Sequence, residues 1–236
     1  MKKKSDIYLL LFVIFSLTNV FAEYFGPVWL IFMTKPALLT LLSLWFLVQA
    51  KANFTPYARL LLGGLIFSIF GDTFLMIKEN GVGGELFFLL GLGSFLVTHL
   101  LYAKAFRHLG YEKTGLLTRR KILILPFLFF LIGNSLLLWK GIPGELKIPV
   151  LVYSSAITLM SLTCLNLQTK ISPTAFKLLF CGVLLFVLSD TFIGINKFHT
   201  PLPQARVLIM LPYLTGQYLI AKGALHVILR RKTVTG

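Results

Sequence analysis

Eight stretches of about twenty mostly apolar residues follow one another along the chain, at roughly 7–25, 27–49, 57–77, 85–106, 121–139, 146–167, 175–194 and 205–228. A run of that length, wound as an α-helix, covers the roughly 30 Å of hydrocarbon in a bilayer. Inside hydrocarbon every backbone N–H and C=O must find its partner within the chain, so a sequence of this kind folds as a bundle of membrane-spanning helices. The composition agrees, with 57% hydrophobic residues and only 8 acidic side chains among 236. The expected fold is all-α and integral to the membrane, one transmembrane domain covering 1–236, with eight transmembrane helices. The first two spans are divided by Glu23 and by the turn signal Gly26-Pro27.

A net charge of +15 can mark a nucleic-acid partner. Here the basic residues form short clusters between apolar runs and no continuous face or arm, which argues against nucleic acid and for a topology signal. In an eight-span arrangement Lys2, Lys3, Lys4, Lys51, Arg59, Lys104, Arg107, Lys113, Arg119, Arg120, Lys121, Lys170, Lys177, Lys222, Arg230, Arg231 and Lys232 share one side, while Lys78, Lys140, Lys147, Lys197 and Arg206 take the other. Lys and Arg are retained on the cytoplasmic side, so both termini and the 107–120 loop are expected there, in a bacterial inner (cytoplasmic) membrane. The N-terminus has a rival reading, because Lys2 to Lys4, the apolar stretch and Val20-Phe21-Ala22 resemble the three regions of a cleavable signal peptide. Cys164 and Cys181 fall within apolar segments where a disulfide framework has no role, and read as packing residues.

Moving the sequence along itself by 118 residues places Leu60-Leu61-Leu62-Gly63-Gly64 on Leu178-Leu179-Phe180-Cys181-Gly182, and Asp72-Thr73-Phe74 on Asp190-Thr191-Phe192. The register continues without a gap, with Thr40-Leu41 and Ser43-Leu44 on Thr158-Leu159 and Ser161-Leu162, and Leu101, Ala103 and Lys104 on Leu219, Ala221 and Lys222. Two four-helix repeats are implied, about 1–110 and 119–228. Signal-peptide cleavage would remove one of two matching helices. An even number of spans makes the halves parallel, related by a pseudo-two-fold axis along the membrane normal, as in one class of transporter.

Asp72 and Asp190 are the residues on which function is expected to rest. A carboxylate at the centre of a membrane helix costs roughly 2.5 to 3.5 kcal/mol on insertion scales, and such residues usually face a bundle interior and act there. Lys35 and its counterpart Tyr153 lie about eight residues from the outer ends of their spans, roughly 12 Å deep at about 1.5 Å per residue, in the layer of the two aspartates. Face-to-face packing of the halves would gather two carboxylates, an ammonium and a phenol. The bland alternative has the aspartates bonded to backbone or hydroxyl groups, or paired with Lys35 simply to hold helices together. Pro36 follows Lys35 and can kink the span and free a carbonyl.

His99 and Tyr102 are three apart and share a face of span four, after Ser94, Phe95 and Thr98. A single buried histidine is as readily a helix clamp as a ligand. His108, His199 and His226 fall at loops or span ends. With no second intramembrane histidine the pattern does not call for a transition metal, and no cofactor motif is present. Gly91-Leu92-Gly93 lies inside a span and reads as close helix packing, Gly81-Val82-Gly83-Gly84 as an external turn, and no Gly-x-Ser-x-Gly elbow occurs.

Thr34-Lys35-Pro36, Gly71-Asp72-Thr73-Phe74-Leu75, Phe95-Leu96-Val97-Thr98-His99-Leu100-Leu101-Tyr102 and Ser189-Asp190, in this order, resemble the YhhN family, which includes the lysoplasmalogenases. The resemblance covers about 7–228. It implies hydrolysis of the vinyl ether bond of lysoplasmalogen, a lysophospholipid, to a fatty aldehyde and glycerophospho-ethanolamine or -choline. Asp72 and Asp190 would correspond to the family's catalytic acids, and Lys35, His99, Tyr102 and Tyr153 match motif positions as substrate-binding or supporting residues.

The chemistry suits such residues independently. Acid hydrolysis of a vinyl ether starts with proton delivery to the alkene carbon and passes through an oxocarbenium ion that water captures, which calls for one general acid and one carboxylate. Either aspartate fits either role, and Lys35 fits both a counter-ion and a phosphate contact. The partners implied are a lysophospholipid and the bilayer, with no protein partner identifiable. The competing reading is a small-molecule or lipid transporter, since parallel repeats and midplane ionisable residues also build carriers.

Overall fold

The computed structural model describes residues 2–81, 84–109 and 114–232, and among them all regular structure is helical. The long helices are α1 (Lys2–Phe25), α2 (Val28–Ala50), α3 (Pro56–Glu79), α4 (Gly84–Leu109), α6 (Leu125–Leu138), α7 (Lys147–Leu165), α8 (Pro173–Phe198) and α9 (Ala205–Lys232), with a single turn α5 (Leu116–Arg119) after α4. Among the described residues seven segments are long and apolar enough to cross a membrane: Ser5–Phe25, Val28–Asn53, Pro56–Glu79, Gly84–Leu109, Lys121–Leu138, Gly144–Leu165 and Pro173–Phe198. Together they make this an integral, multi-pass membrane protein. Helix α9 is the eighth long helix and is not among the seven, because Arg206, Pro212, Gln217, Lys222 and several small residues dilute its apolar character.

Local chemistry explains the boundaries. Gly26 stands at φ +90, with its N–H on the Ala22 carbonyl, and Pro27 has no N–H to continue the helix, so the chain turns sharply into α2. Helices α3 and α8, which carry the two aspartates, begin alike. Thr55 and Ser172 each offer a hydroxyl oxygen to the N–H three residues on, and Pro56 and Pro173 take the first helical position. Helix α3 ends where Asn80 bonds the Met76 carbonyl and Gly81 adopts φ +81. Of the expected Gly81 to Gly84 turn, Val82 and Gly83 lie outside the described residues, as does Lys113 of the 107–120 loop.

The chain divides into two compact units, Met1–Ala105 with Ala224–Gly236, and Phe106–Gly223. In the first, α1 packs on α2 and α2 on α3. The crossing of α3 with α4 is close because Gly64 has no side chain: the Tyr102 ring occupies the space a Cβ would take. Thr98 secures it by donating to the Gly64 carbonyl at 3.1 Å and lying 3.2 Å from the Ser68 hydroxyl. Beside Asp72, a Cβ on Gly71 would sit 2.6 Å from the Phe95 ring.

In the second unit α7 packs on α8 and α6 on both. A Cβ on Gly182 would stand 2.8 Å from the Gly216 carbonyl oxygen and from the Ile220 nitrogen, so α8 and α9 approach backbone to backbone. Phe186 meets Tyr213 edge-on at 5.5 Å.

Three readings are corrected. Glu23 does not end a span, because α1 runs through it and its side chain is buried. Cys164 is a buried packing residue, but Cys181 is exposed on the outside of α8. Gly91 is a close-packing glycine, 2.8 Å from Leu75 once given a Cβ, whereas Gly93 faces open space.

Candidate functional site

Each unit buries a polar group on the helix that precedes the one bearing its aspartate. In the first, Lys35 lies inside α2 and is buried, one residue ahead of Pro36. Its Nζ donates to Glu23 Oε1 at 3.2 Å and to Glu79 Oε2 at 3.3 Å, tying α1, α2 and α3 together. Asp72, buried on α3, also acts on the Lys35 ammonium electrostatically. Three of the chain's 8 acidic residues thus collect around one lysine.

The wall behind Lys35 is bonded with one acceptor left over. Thr34 donates to the Leu30 carbonyl at 2.7 Å and accepts from Asn19 Nδ2 at 2.9 Å. Asn19 is wholly buried, and its Oδ1 accepts no hydrogen bond among the described residues. Exchanging the two amide ends would not remove this, because the Thr34 hydrogen is already committed to Leu30.

In the second unit the Tyr153 phenol on α7 is hydrogen-bonded to Asp190 on α8, both side chains being buried. Ser189 donates to the Ile209 carbonyl at 2.9 Å, fixing α9 beside the aspartate. Gln217 on α9 is wholly buried.

The residues expected to act are therefore placed as follows. Lys35 and Asp72 come together in one unit, and Tyr153 and Asp190 in the other. His99 and Tyr102 are wholly buried on α4, Tyr102 against Gly64. No three of His, Cys, Asp or Glu among the described residues come together as metal ligands would. Glu23, Glu79, Asn19 and Gln217 were not among the expected site residues. Three of them carried a signal: a lysine within hydrocarbon demands counter-ions, here Glu23 and Glu79, and Gln217 stands 118 residues after His99.

Residues 30–224 match the YhhN family, over most of the chain. The chain belongs to the YhhN family. Among its relatives, "Lysoplasmalogenase TMEM86A" of Bos taurus is 34% identical over 208 residues, covering 85% of this chain and 80% of that protein. The Homo sapiens protein of the same name is 32% identical over the same shares. "Uncharacterized membrane protein YhhN" of Escherichia coli O157:H7 is 26% identical over 87% of this chain and 92% of its own length. No solved structure matches. In this YhhN-family protein the matched segment takes in all six expected site residues and Glu79, while Asn19 and Glu23 precede it.

Proposed function

We propose that the protein is a membrane-embedded hydrolase that cleaves the vinyl ether bond of lysoplasmalogen, releasing a fatty aldehyde and glycerophospho-ethanolamine or -choline, with Asp72 and Asp190 as its acid/base pair. The observation that carries this reading is that relatives named lysoplasmalogenase align over 85% of the chain, in which two intramembrane aspartates are each buried beside a different partner. The partners divide the roles. Asp72, beside the Lys35 ammonium, is assigned the carboxylate role, and Asp190, hydrogen-bonded to the Tyr153 phenol, is assigned the role of proton donor.

In this scheme Asp190 delivers its proton to the alkene carbon, and the resulting oxocarbenium ion is stabilised by the Asp72 carboxylate. Water adds as Asp72 takes its proton. The hemiacetal then collapses, Asp72 returning a proton to the departing glycerol oxygen while Asp190 recovers one from the hemiacetal hydroxyl. Both carboxyls end in their starting states.

The topology that suits this chemistry has α9 as an eighth span, parallel repeats of about 1–110 and 119–228, both termini cytoplasmic, and the bacterial inner membrane as its setting. Support comes from within each unit. Gly64 with Tyr102 and Gly182 with Ile220 are close crossings 118 residues apart, as are the pairs Lys35 with Asp72 and Tyr153 with Asp190.

Release of fatty aldehyde from lysoplasmalogen by purified protein in detergent tests the reading, with Asp72→Asn and Asp190→Asn alongside. Wild type should release aldehyde and neither variant should. No aldehyde from any vinyl-ether lipid would overturn the reaction, and full activity in the variants would overturn the site.

A further inference from the structure

The span that ends in α6 is the one least enclosed by protein: 6% of its membrane-crossing window is buried, against 22–50% for the other six. It nevertheless carries an asparagine. Asn134 is partly buried, and its shielded Oδ1 meets no hydrogen-bond donor among the described residues. A polar atom kept from water and left unmet is costly, and in a native structure it calls for an explanation.

Two contacts set the register of α6 against α8. A Cβ on Gly194 would stand 2.9 Å from Leu138, and one on Gly141, just past α6, would run into the Phe198 carbonyl. Residue numbers rise together along these contacts, so α6 and α8 run in parallel. One turn back from Leu138 and Gly194, on the same two faces, stand Asn134 and Asp190. Helices in contact lie about 8–10 Å apart axis to axis, so side chains at one level on facing sides reach the same small group. Tyr153 holds Asp190 from α7, and Asn134 is at its level on α6.

We propose that Asn134 binds the free sn-2 hydroxyl of the lysolipid and so selects lysolipids over lipids acylated at that position. This rests on the lysoplasmalogenase reading and deepens it. Phosphate and ether oxygens only accept, whereas a hydroxyl both donates and accepts and satisfies the amide whichever end is turned to it. On a lysoplasmalogen that hydroxyl stands on the carbon adjoining the one that bears the vinyl ether oxygen. A group that binds it must therefore lie beside the acid that protonates the alkene, which is where the register puts Asn134. Acylation removes the donor and adds a second chain at the amide. Entry is lateral. Helix α6 borders lipid along Phe129, Ile132 and Leu136, Gly133 faces open space, and a helix enclosed so little can give way to a single-chain lipid.

The test uses two saturated 1-O-alkyl lysophosphatidylethanolamines, one with the sn-2 hydroxyl and one with hydrogen in its place. Neither has a vinyl ether to hydrolyse, so both report binding alone. With the full-length protein in detergent, intrinsic fluorescence should show the hydroxyl lipid bound about tenfold more tightly, the scale of one hydrogen bond to a buried polar group. Asn134→Leu, a change that suits a lipid-facing helix, should bring the ratio to about one by weakening the hydroxyl lipid alone. Equal binding of the two lipids by wild type overturns the proposal. So does a ratio that survives Asn134→Leu, whatever the variant does to thermal stability, since a purely structural amide would give that result. A ratio present in wild type and lost in the variant, with no aldehyde released from vinyl-ether lipids, would instead overturn the reaction and leave the hydroxyl site standing.

Discussion

Tyr153 is hydrogen-bonded to Asp190 between α7 and α8, and the residues 118 positions earlier, Lys35 and Asp72, interact electrostatically between α2 and α3. The same register therefore carries a phenol–carboxyl pair in one unit and an ammonium–carboxylate pair in the other. Two aspartates in similar sequence contexts thus acquire different surroundings, which is what acid/base catalysis by a carboxyl pair requires.

The Lys35 network should behave as a coupled unit. Lys35→Met leaves the buried Glu23 carboxylate without its bonded ammonium, and breaking a buried pair in this way costs about 3–5 kcal/mol. Adding Glu23→Gln removes the stranded charge, so the double variant should recover part of that loss. Unfolding of wild type, both single variants and the double variant in mixed detergent measures the coupling. Additive losses would show that the 3.2 Å contact carries no net interaction.

Tyr153→Phe removes only the hydroxyl that bonds Asp190. The ring keeps its place between α7 and α8, so stability should fall by only about 1 kcal/mol. Under the proposed scheme, in which Asp190 donates the proton, aldehyde release should fall about tenfold or more, mainly in kcat. A change confined to KM would move Tyr153 from the acid to substrate binding.

The glycine crossings should rank by what a methyl group would meet. At Gly182 the obstacle is backbone, the Gly216 oxygen and the Ile220 nitrogen each at 2.8 Å, so the helices must separate and Gly182→Ala should cost about 1–3 kcal/mol. Gly64→Ala displaces the Tyr102 ring and should also destabilise. Gly133 on α6 faces open space, and Gly133→Ala should be neutral or slightly stabilising. Thermal unfolding of the three variants gives the order.

Hydropathy made most of the fold legible, since helices that face lipid must announce themselves residue by residue. The segments Pro56–Glu79, Gly84–Leu109 and Lys121–Leu138 begin and end within a few residues of where apolar runs place them. The first run, 7–25, likewise ends with α1 at Phe25, but Glu23 read as part of a divider because hydropathy cannot see the lysine twelve residues later that pairs with it. The run at 205–228 does coincide with helix α9, yet α9 is less apolar than the seven other spans, and its Gln217, Tyr213 and Ala224 are buried. The site was legible as far as the 118-residue register reached, which pairs Lys35 with Tyr153 and Asp72 with Asp190. The register did not single out which acids pair with Lys35, as Glu23 and Glu79 fall at 141 and 197 in it, where Gly141 and Lys197 stand.

Gln217 offers the sharpest use of that register. It is wholly buried on α9, 118 residues after the wholly buried His99 on α4, and both positions follow a close-packed one, Thr98 against the Gly64 carbonyl and Gly216 against the Gly182 carbonyl. A side chain with both donor and acceptor thus stands beside each of these two close crossings. Gln217→Leu preserves bulk but removes both polar functions, leaving buried partners unsatisfied at about 1–3 kcal/mol each. Gln217→His restores a donor and an acceptor in the chemistry used at position 99. The histidine variant should retain more thermal stability and more aldehyde release than the leucine variant. Equal losses in the two would mean that the position selects for shape alone, and that the match between His99 and Gln217 carries no chemistry.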